Sequence, residues 1–107
     1  MRIYISGAIT GKWDYLEQFE KAEMILKEQG YSVINPAKIN SLLPENTTHE
    51  QYMTVSLALL STCEAIYMLN GWKNSEGATT ELRFSVDNDM TVWLEGKQCN
   101  VPKISKN

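Results

Sequence analysis

The sequence predicts an α/β protein with a flavodoxin-like (Rossmann-like) open parallel sheet of four to five strands and helices on both faces. Short apolar runs alternate with segments of helical periodicity, in the order β-α-β-α-β-α-β. Turn residues close the first three strands, as expected where a strand leads into a crossover helix. Right-handed crossovers lay each helix back over the sheet, and a strand order of 2-1-3-4 is the simplest arrangement.

The first strand and helix are predicted from the amino-terminal residues. Ile3 to Ser6 is a short apolar run that Gly7 stops, and Asp14-x-x-Glu17 is typical of a helix start. Gly30 is expected to end that helix. Helical spacing places four apolar residues on its inner face: Leu16, Phe19, Ala22 and Leu26.

A second strand and helix follow. Tyr31 to Ile34 is the strand, and Asn35-Pro36 closes it. A polar loop is predicted from there to Thr48-x-x-Gln51, which has the spacing of a capping box. The second helix then carries apolar residues at helical spacing: Tyr52, Val55, Leu59 and Leu60.

The last predicted elements are a buried strand, a third helix and a fourth strand. Ala65 to Leu69 is continuously apolar, as in a strand covered on both faces, and Gly71 breaks it. The third helix runs from about Glu76 to Asp87, with Ala78, Leu82 and Val86 on one face, and Thr91 to Leu94 forms the fourth strand.

The composition is that of one small globular domain. The chain has 107 residues, 43% of them hydrophobic, and a net charge of -3, which offers no broad attraction to nucleic acid. We expect a domain over residues 1–95 and a polar carboxyl-terminal tail over residues 96–107. The amino terminus turns polar too early for a membrane span, so a cytoplasmic protein is expected.

Metal and cofactor chemistry are not predicted. Cys63 and Cys99 match neither a disulfide framework nor a metal-ligand spacing, and His49 is the single histidine. No G-K-[ST] and no G-x-G-x-x-G follows the first strand, so neither a Walker loop nor a dinucleotide fingerprint is present. We therefore expect no metal and no cofactor.

Two glycine-bearing loops are predicted to face each other across one crevice at the topological switch point. The first is Ser6-Gly7-Ala8-Ile9-Thr10-Gly11, whose small residues and hydroxyls suit a phosphate or a sugar oxygen bound through backbone amides. A plain turn after the first strand is the alternative.

The second loop pairs with a carboxylate. In the pattern Ser75-x-Gly77-x-x-x-Glu81, Ser75 would cap the third helix, and Glu81 would lie in its second turn at the border of the apolar stripe. Glu81 would then point toward the crevice, half-buried. The alternative is a glutamate at an amphipathic border, paired with solvent or a lysine.

Several short motifs occur along the chain in a fixed order: Tyr4-Ile-Ser-Gly-Ala-Ile-Thr-Gly11, Asn35-Pro36, Tyr52-Met53, Cys63-Glu-Ala-Ile-Tyr-Met-Leu69, Gly71-Trp72, Ser75-x-Gly77-Ala78 and Glu81. With these motifs, the chain resembles the DUF4406 group of bacterial and phage proteins over roughly residues 2 to 95. That group is similar to nucleoside 2-deoxyribosyltransferases and to deoxynucleoside 5'-monophosphate N-glycosidases.

The resemblance implies cleavage or transfer at the N-glycosidic bond of a deoxynucleoside 5'-monophosphate or deoxynucleoside, with Glu81 as the nucleophile. Ser75 matches the serine that contacts a 5'-phosphate, and Trp72 would lie near the base. The resemblance also implies a homo-oligomer. The implied substrate-binding residues are Ser6, Gly7, Ala8, Ile9, Thr10, Gly11, Asn35, Trp72, Ser75 and Gly77.

Two departures from the family pattern keep a second hypothesis open. Ser56 stands where the known enzymes carry an aspartate, and Thr10 where the monophosphate-cleaving enzymes carry an arginine. A serine does not act as a general acid near neutral pH. The alternative to an enzyme is therefore a non-catalytic nucleotide-binding or sensor protein on the same fold. Either way, the expected partner is a small nucleotide or nucleoside, with no nucleic acid polymer and no membrane.

Overall fold

Residues 1–9 and 13–96 are described in the computed structural model of the protein. Thr10 and Gly11 of the first predicted loop, and the predicted tail from residue 97 onward, lie outside these described residues.

Four parallel strands form one sheet in the order β2-β1-β3-β4. The strands are β1 (Arg2–Ser6), β2 (Ser32–Ile34), β3 (Ala65–Met68) and β4 (Thr91–Leu94). The register pairs Tyr4 with Ile34 on one side and with Ile66 on the other. The predicted parallel sheet and its strand order are confirmed.

Four α-helices connect the strands: α1 (Tyr15–Glu28), α2 (Pro36–Asn40), α3 (His49–Leu60) and α4 (Glu76–Asp87). A short 3-10 turn, Trp72–Asn74, lies between β3 and α4. The sequence predicts three of these helices and places a loop where α2 forms. Five residues are too few to show a hydrophobic period, and α2 depends instead on its cap, because Oδ1 of Asn35 accepts hydrogen bonds from the backbone N–H groups of Ala37 and Lys38.

The predicted capping box at the start of α3 is confirmed. The backbone N–H of Gln51 donates to Oγ1 of Thr48 at 3.1 Å, and the Gln51 side chain accepts from the backbone N–H of Thr48 at 2.9 Å. Helix α1 begins at Tyr15 with Asp14 as its N-cap residue, as predicted, but the Asp14 side chain makes no capping hydrogen bond.

The hydrophobic core has two parts, one on each face of the sheet. Because side chains alternate along a strand, Ile3 and Ile5 face α1, whereas Tyr4 faces α3 and α4. The α1 face is filled by residues such as Phe19, Ala22, Leu26, Tyr67 and Leu69. The opposite face is filled by Leu60, Ile66, Met68, Ala78 and Val92. The predicted helices on both faces of the sheet are confirmed.

Two predicted inner faces need correction. Leu16 is 45% exposed in the first turn of α1, and Val86 is 58% exposed near the end of α4. The buried face of α4 consists of Ala78, Glu81 and Ser85, whereas the predicted face consists of Ala78, Leu82 and Val86. The helix is therefore rotated so that a more polar side faces the core. A helix can bury this side because Glu81 and Ser85 both find hydrogen-bond partners.

No helix in the described part of the chain is long and apolar enough to cross a membrane.

Candidate active site

A cavity of about 750 Å³ opens where the strands β1, β2 and β3 end. Its walls come from the residues after β1, the first turns of α1, the short helix α2, one face of α3 and the first turns of α4. The carboxyl ends of parallel strands form the usual ligand-binding edge of an open α/β sheet. The cavity therefore lies where the fold is built to bind a small molecule.

Glu81 lies on the floor of this cavity. Its side chain is buried, with 7% of the residue exposed, and both carboxylate oxygens accept hydrogen bonds. Tyr4 Oη donates to Oε2 at 2.6 Å, and Ser6 Oγ donates to Oε1 at 2.5 Å. Tyr4 and Ser6 are two residues apart in β1, so their side chains emerge on the same face of the sheet. One strand thus holds both oxygens of the carboxylate.

The cap of α4 sets the position of Glu81. Ser75 Oγ accepts a hydrogen bond from the backbone N–H of Ala78 at 3.1 Å, which confirms the predicted cap. With the helix starting at Glu76, Glu81 falls in the second turn on the face toward the sheet. Glu81 is more deeply buried than the half-buried position that the sequence predicts.

Burial raises the pKa of the Glu81 carboxyl above its ordinary value, and the hydrogen bonds from Ser6 and Tyr4 hold part of that rise back. Burial also raises the pKa of Tyr4 well above its ordinary value, and the adjacent Glu81 adds to the rise. A hydrogen bond with Ser56 acts in the opposite direction on Tyr4. Tyr4 therefore keeps its proton and serves as a hydrogen-bond donor to the carboxylate.

Several predicted binding residues meet at the cavity. Gly7, Ala8, Ile9, Ser75 and Gly77 all line it. Gly7 is packed so closely that an added Cβ would come within 3.0 Å of the Leu69 side chain. A Cβ at Gly77 would lie 3.3 Å from Sδ of Met53. Both glycines allow the chain to approach its neighbours closely beside the carboxylate.

Other predicted residues have different surroundings. Trp72 is partly buried against the core on the α4 side and is not among the residues that line the cavity. Asn35 is buried, caps α2, and donates through Nδ2 to Oε1 of Glu23 at 3.0 Å. The Ser6 hydroxyl is directed to Glu81 rather than to the open part of the cavity.

Two residues of the cavity, Tyr4 and His49, are not predicted from the sequence as part of the site. Tyr4 belongs to the β1 motif, and its place two residues before Ser6 puts both side chains on one face of the sheet. His49 is exposed and also lines the cavity. Spacing along α3 could have found it, because His49, Tyr52, Met53 and Ser56 lie on one helical face and all line the cavity.

Within residues 1–9 and 13–96, no three histidine, cysteine, aspartate or glutamate side chains come together as a metal site.

Two comparisons with known proteins agree with this architecture. The family described as a domain of unknown function, DUF4406, matches residues 1–94. The fold is similar to that of a 2-deoxyribosyltransferase from the psychrotolerant bacterium Bacillus psychrosaccharolyticus, described as a biocatalyst for the synthesis of antiviral and antitumoral nucleosides. The TM-score is 0.71 at 19% sequence identity, over 88% of this chain and 71% of that one. No curated protein matches the sequence. Since the family match extends over residues 1–94 of 107, the chain belongs to the DUF4406 family.

Proposed function

We propose that the protein cleaves or transfers at the N-glycosidic bond of a 2'-deoxynucleoside through a covalent glutamyl-glycosyl intermediate on Glu81. The observation that supports this most directly is the buried carboxylate on the cavity floor, held through both oxygens by Tyr4 and Ser6. The likeness of the fold to a 2-deoxyribosyltransferase supports the same reaction class.

The chemistry is a double displacement. A carboxylate oxygen of Glu81 attacks C1' of the sugar, the C1'–N bond breaks, and its electron pair leaves with the base. Water or a second base then attacks C1' and frees Glu81, which gives hydrolysis or transfer. The hydroxyls of Tyr4 and Ser6 orient the carboxylate and favour its ionised form, which is the form that attacks.

The charges of the cavity favour a nucleoside over a nucleotide. Among the described lining residues, three carry carboxylates, Glu45, Glu76 and Glu81, none is lysine or arginine, and His49 is the one basic side chain. A phosphate dianion in a partly desolvated cavity with three carboxylates would be repelled. The oxygen of the Ser75 hydroxyl already accepts the Ala78 N–H. Its hydrogen can be donated to an oxygen of the sugar, so the preference for a nucleoside rests on the carboxylates of the cavity and not on Ser75.

Ser56 supports a second candidate function, binding without cleavage. Ser56 is buried on the cavity wall beside Tyr4, at the place where the family resemblance implies an aspartate. A serine there does not protonate a leaving base. A protein that holds a nucleoside and senses or sequesters it would need the cavity but not the proton donor.

Free base released by concentrated protein, separated by chromatography, tests the proposal. The panel consists of the four deoxynucleosides and their 5'-monophosphates, incubated with wild type, with Glu81→Gln, and with Glu20→Gln as a control at an exposed site on α1. Release by wild type and Glu20→Gln but not by Glu81→Gln is the expected result, with deoxynucleosides preferred. Ligand-induced thermal stabilisation without release from any substrate would favour the binding function instead.

We also propose that the protein is a homo-oligomer. Trp13 is 92% exposed and Leu42 83% exposed, which leaves two large apolar side chains in contact with water in the single chain. Light scattering coupled to size-exclusion chromatography tests the proposal. A mass of 12.2 kDa at all concentrations would contradict it.

A further inference from the structure

We infer that His49 is the proton donor to the departing base in the reaction proposed for Glu81, an inference that depends on that proposed function. When the C1'–N bond breaks, the electron pair goes to a base nitrogen. In this step an imidazolium N–H of His49 transfers its proton to a ring nitrogen of the base, so a neutral base leaves and a neutral imidazole remains. Solvent then returns the proton to His49.

The reaction needs a proton donor that the residues of the cavity floor do not supply. A base that leaves without a proton departs as an anion, which is a poor leaving group. The floor offers Tyr4 and Ser56 beside Glu81. The Tyr4 proton is already donated to Glu81, and Ser56 is an alcohol, so neither is suited to protonate the base.

His49 is placed by α3 on the wall of the same cavity. Helical spacing puts His49, Tyr52, Met53 and Ser56 on one face, which runs from the floor at Ser56 to the mouth at His49. His49 and Ser56 are seven residues apart, about 10 Å along the helix axis at the standard rise. A substrate with its C1' at Glu81 and its base directed outward along α3 would bring the base toward His49.

Among the titratable residues around the cavity, His49 is the one best suited to donate a proton near neutral pH. The titratable side chains that share its walls are Glu45 on the preceding loop, Tyr15 on α1, Tyr52 on α3 itself and Glu76 on α4, with Tyr4 and Glu81 at the floor. Glu50 is the next residue on the helix. Histidine is the side chain that most often carries a proton to or from a substrate near neutral pH, whereas glutamate ordinarily has lost its proton there and tyrosine retains it.

Two substrates that differ in whether the leaving base needs a proton test the role of His49 as proton donor. 2'-Deoxyguanosine requires protonation of its leaving base, whereas 7-methyl-2'-deoxyguanosine already carries a positive charge on the base and releases it neutral. The variants are His49→Gln, which keeps a polar side chain but cannot hold the proton, and Glu50→Gln, a matched control in the same helical turn that does not line the cavity.

His49→Gln should lower kcat/KM for 2'-deoxyguanosine by about 100-fold or more, and by less than about threefold for the 7-methyl substrate, since general acid catalysis commonly contributes 10² to 10⁴ in rate. With 2'-deoxyguanosine, kcat/KM of the wild type should fall at alkaline pH, and this fall should be absent in His49→Gln. Glu50→Gln should behave as the wild type with both substrates. Because His49 and Glu50 are both exposed, each variant should unfold within a few degrees of the wild type.

Equal losses for both substrates, or no loss for either, would overturn the inference. In those cases Glu81→Gln would still be inactive and the proposed function would stand. If the wild type released base from neither substrate, the proposed function would fail and the role of His49 would fail with it.

Discussion

The hydroxyl of Tyr4 donates a hydrogen bond to the Glu81 carboxylate across 2.6 Å, between residues 77 positions apart in the chain. The bond joins the central strand β1 to the buried face of α4 and has little contact with solvent. A carboxylate that is buried, oriented and supplied with donors is the arrangement expected of a nucleophile, whereas a structural glutamate usually reaches a cation.

Glu81→Gln should stabilise the protein at neutral pH while abolishing base release. The pKa of Glu81 is raised in the folded state. The contribution of Glu81 to folding stability is therefore complete below the ordinary glutamate pKa and is lost as pH rises through the raised value. At neutral pH the ionised group therefore costs stability, which glutamine avoids. We expect a gain of about 0.5 to 2 kcal/mol in urea unfolding at neutral pH. The gain should shrink at acid pH, and a destabilised variant at neutral pH would contradict the argument.

Tyr4→Phe and Ser6→Ala should both move the acid limb of the kcat/KM profile to higher pH. Each variant removes one donor to the carboxylate, and those donors lower the Glu81 pKa against the effect of burial. Less of the nucleophile is then ionised at a given acidic pH. The pH dependence of base release measures the shift. A uniform fall in rate without any shift would mean that the hydroxyls act only on geometry.

Gly7→Ala should be more destabilising than Gly77→Ala. A methyl group at Gly7 would lie within 3.0 Å of Leu69 Cβ, which is fixed to the backbone at the end of β3, so the loop must move. At Gly77 the neighbour is the flexible Met53 side chain at 3.3 Å, and alanine is the better helix former. We expect a loss of about 1 to 3 kcal/mol for Gly7→Ala and a change within about 1 kcal/mol for Gly77→Ala in denaturant unfolding. Equal effects would show that the β1 loop can relax.

Glu23→Gln should lower stability at neutral pH by about 1 to 2 kcal/mol. Burial acts to raise the Glu23 pKa, but hydrogen bonds from Lys27 and Asn35 and the charges of Lys27 and Lys38 lower it below its ordinary value. Lys27 Nζ lies 2.7 Å from Oε2. The contribution of Glu23 to folding stability is therefore present above the ordinary glutamate pKa and is lost as pH falls through the lowered pKa. Unfolding of wild type and variant across acid pH should therefore converge, and a constant difference would exclude the charge as the cause.

Much of the fold could be read from local patterns. The order of strands and helices, the capping box at Thr48 and the cap at Ser75 depend on residues close together in the chain, and all agree with the structure. The short helix α2 is not predictable from periodicity, because five residues show no helical period, and Asn35-Pro36 is equally typical of the end of a strand. Ser75 and Gly77 line the same cavity as Glu81, since one loop and one helix carry all three.

By itself, the sequence determined the parallel α/β architecture and the spacing that brings Ser75, Gly77 and Glu81 to one loop and helix, because periodicity and capping act over a few residues. Only the tertiary structure decided how deeply Glu81 is buried and that Tyr4 and Ser6 are its donors. It also decided that His49 and Ser56 lie on the wall of the same cavity. Those relationships depend on the rotation of α4 against β1 and on the packing of α3 beside it. Both are set by contacts between segments far apart in the chain.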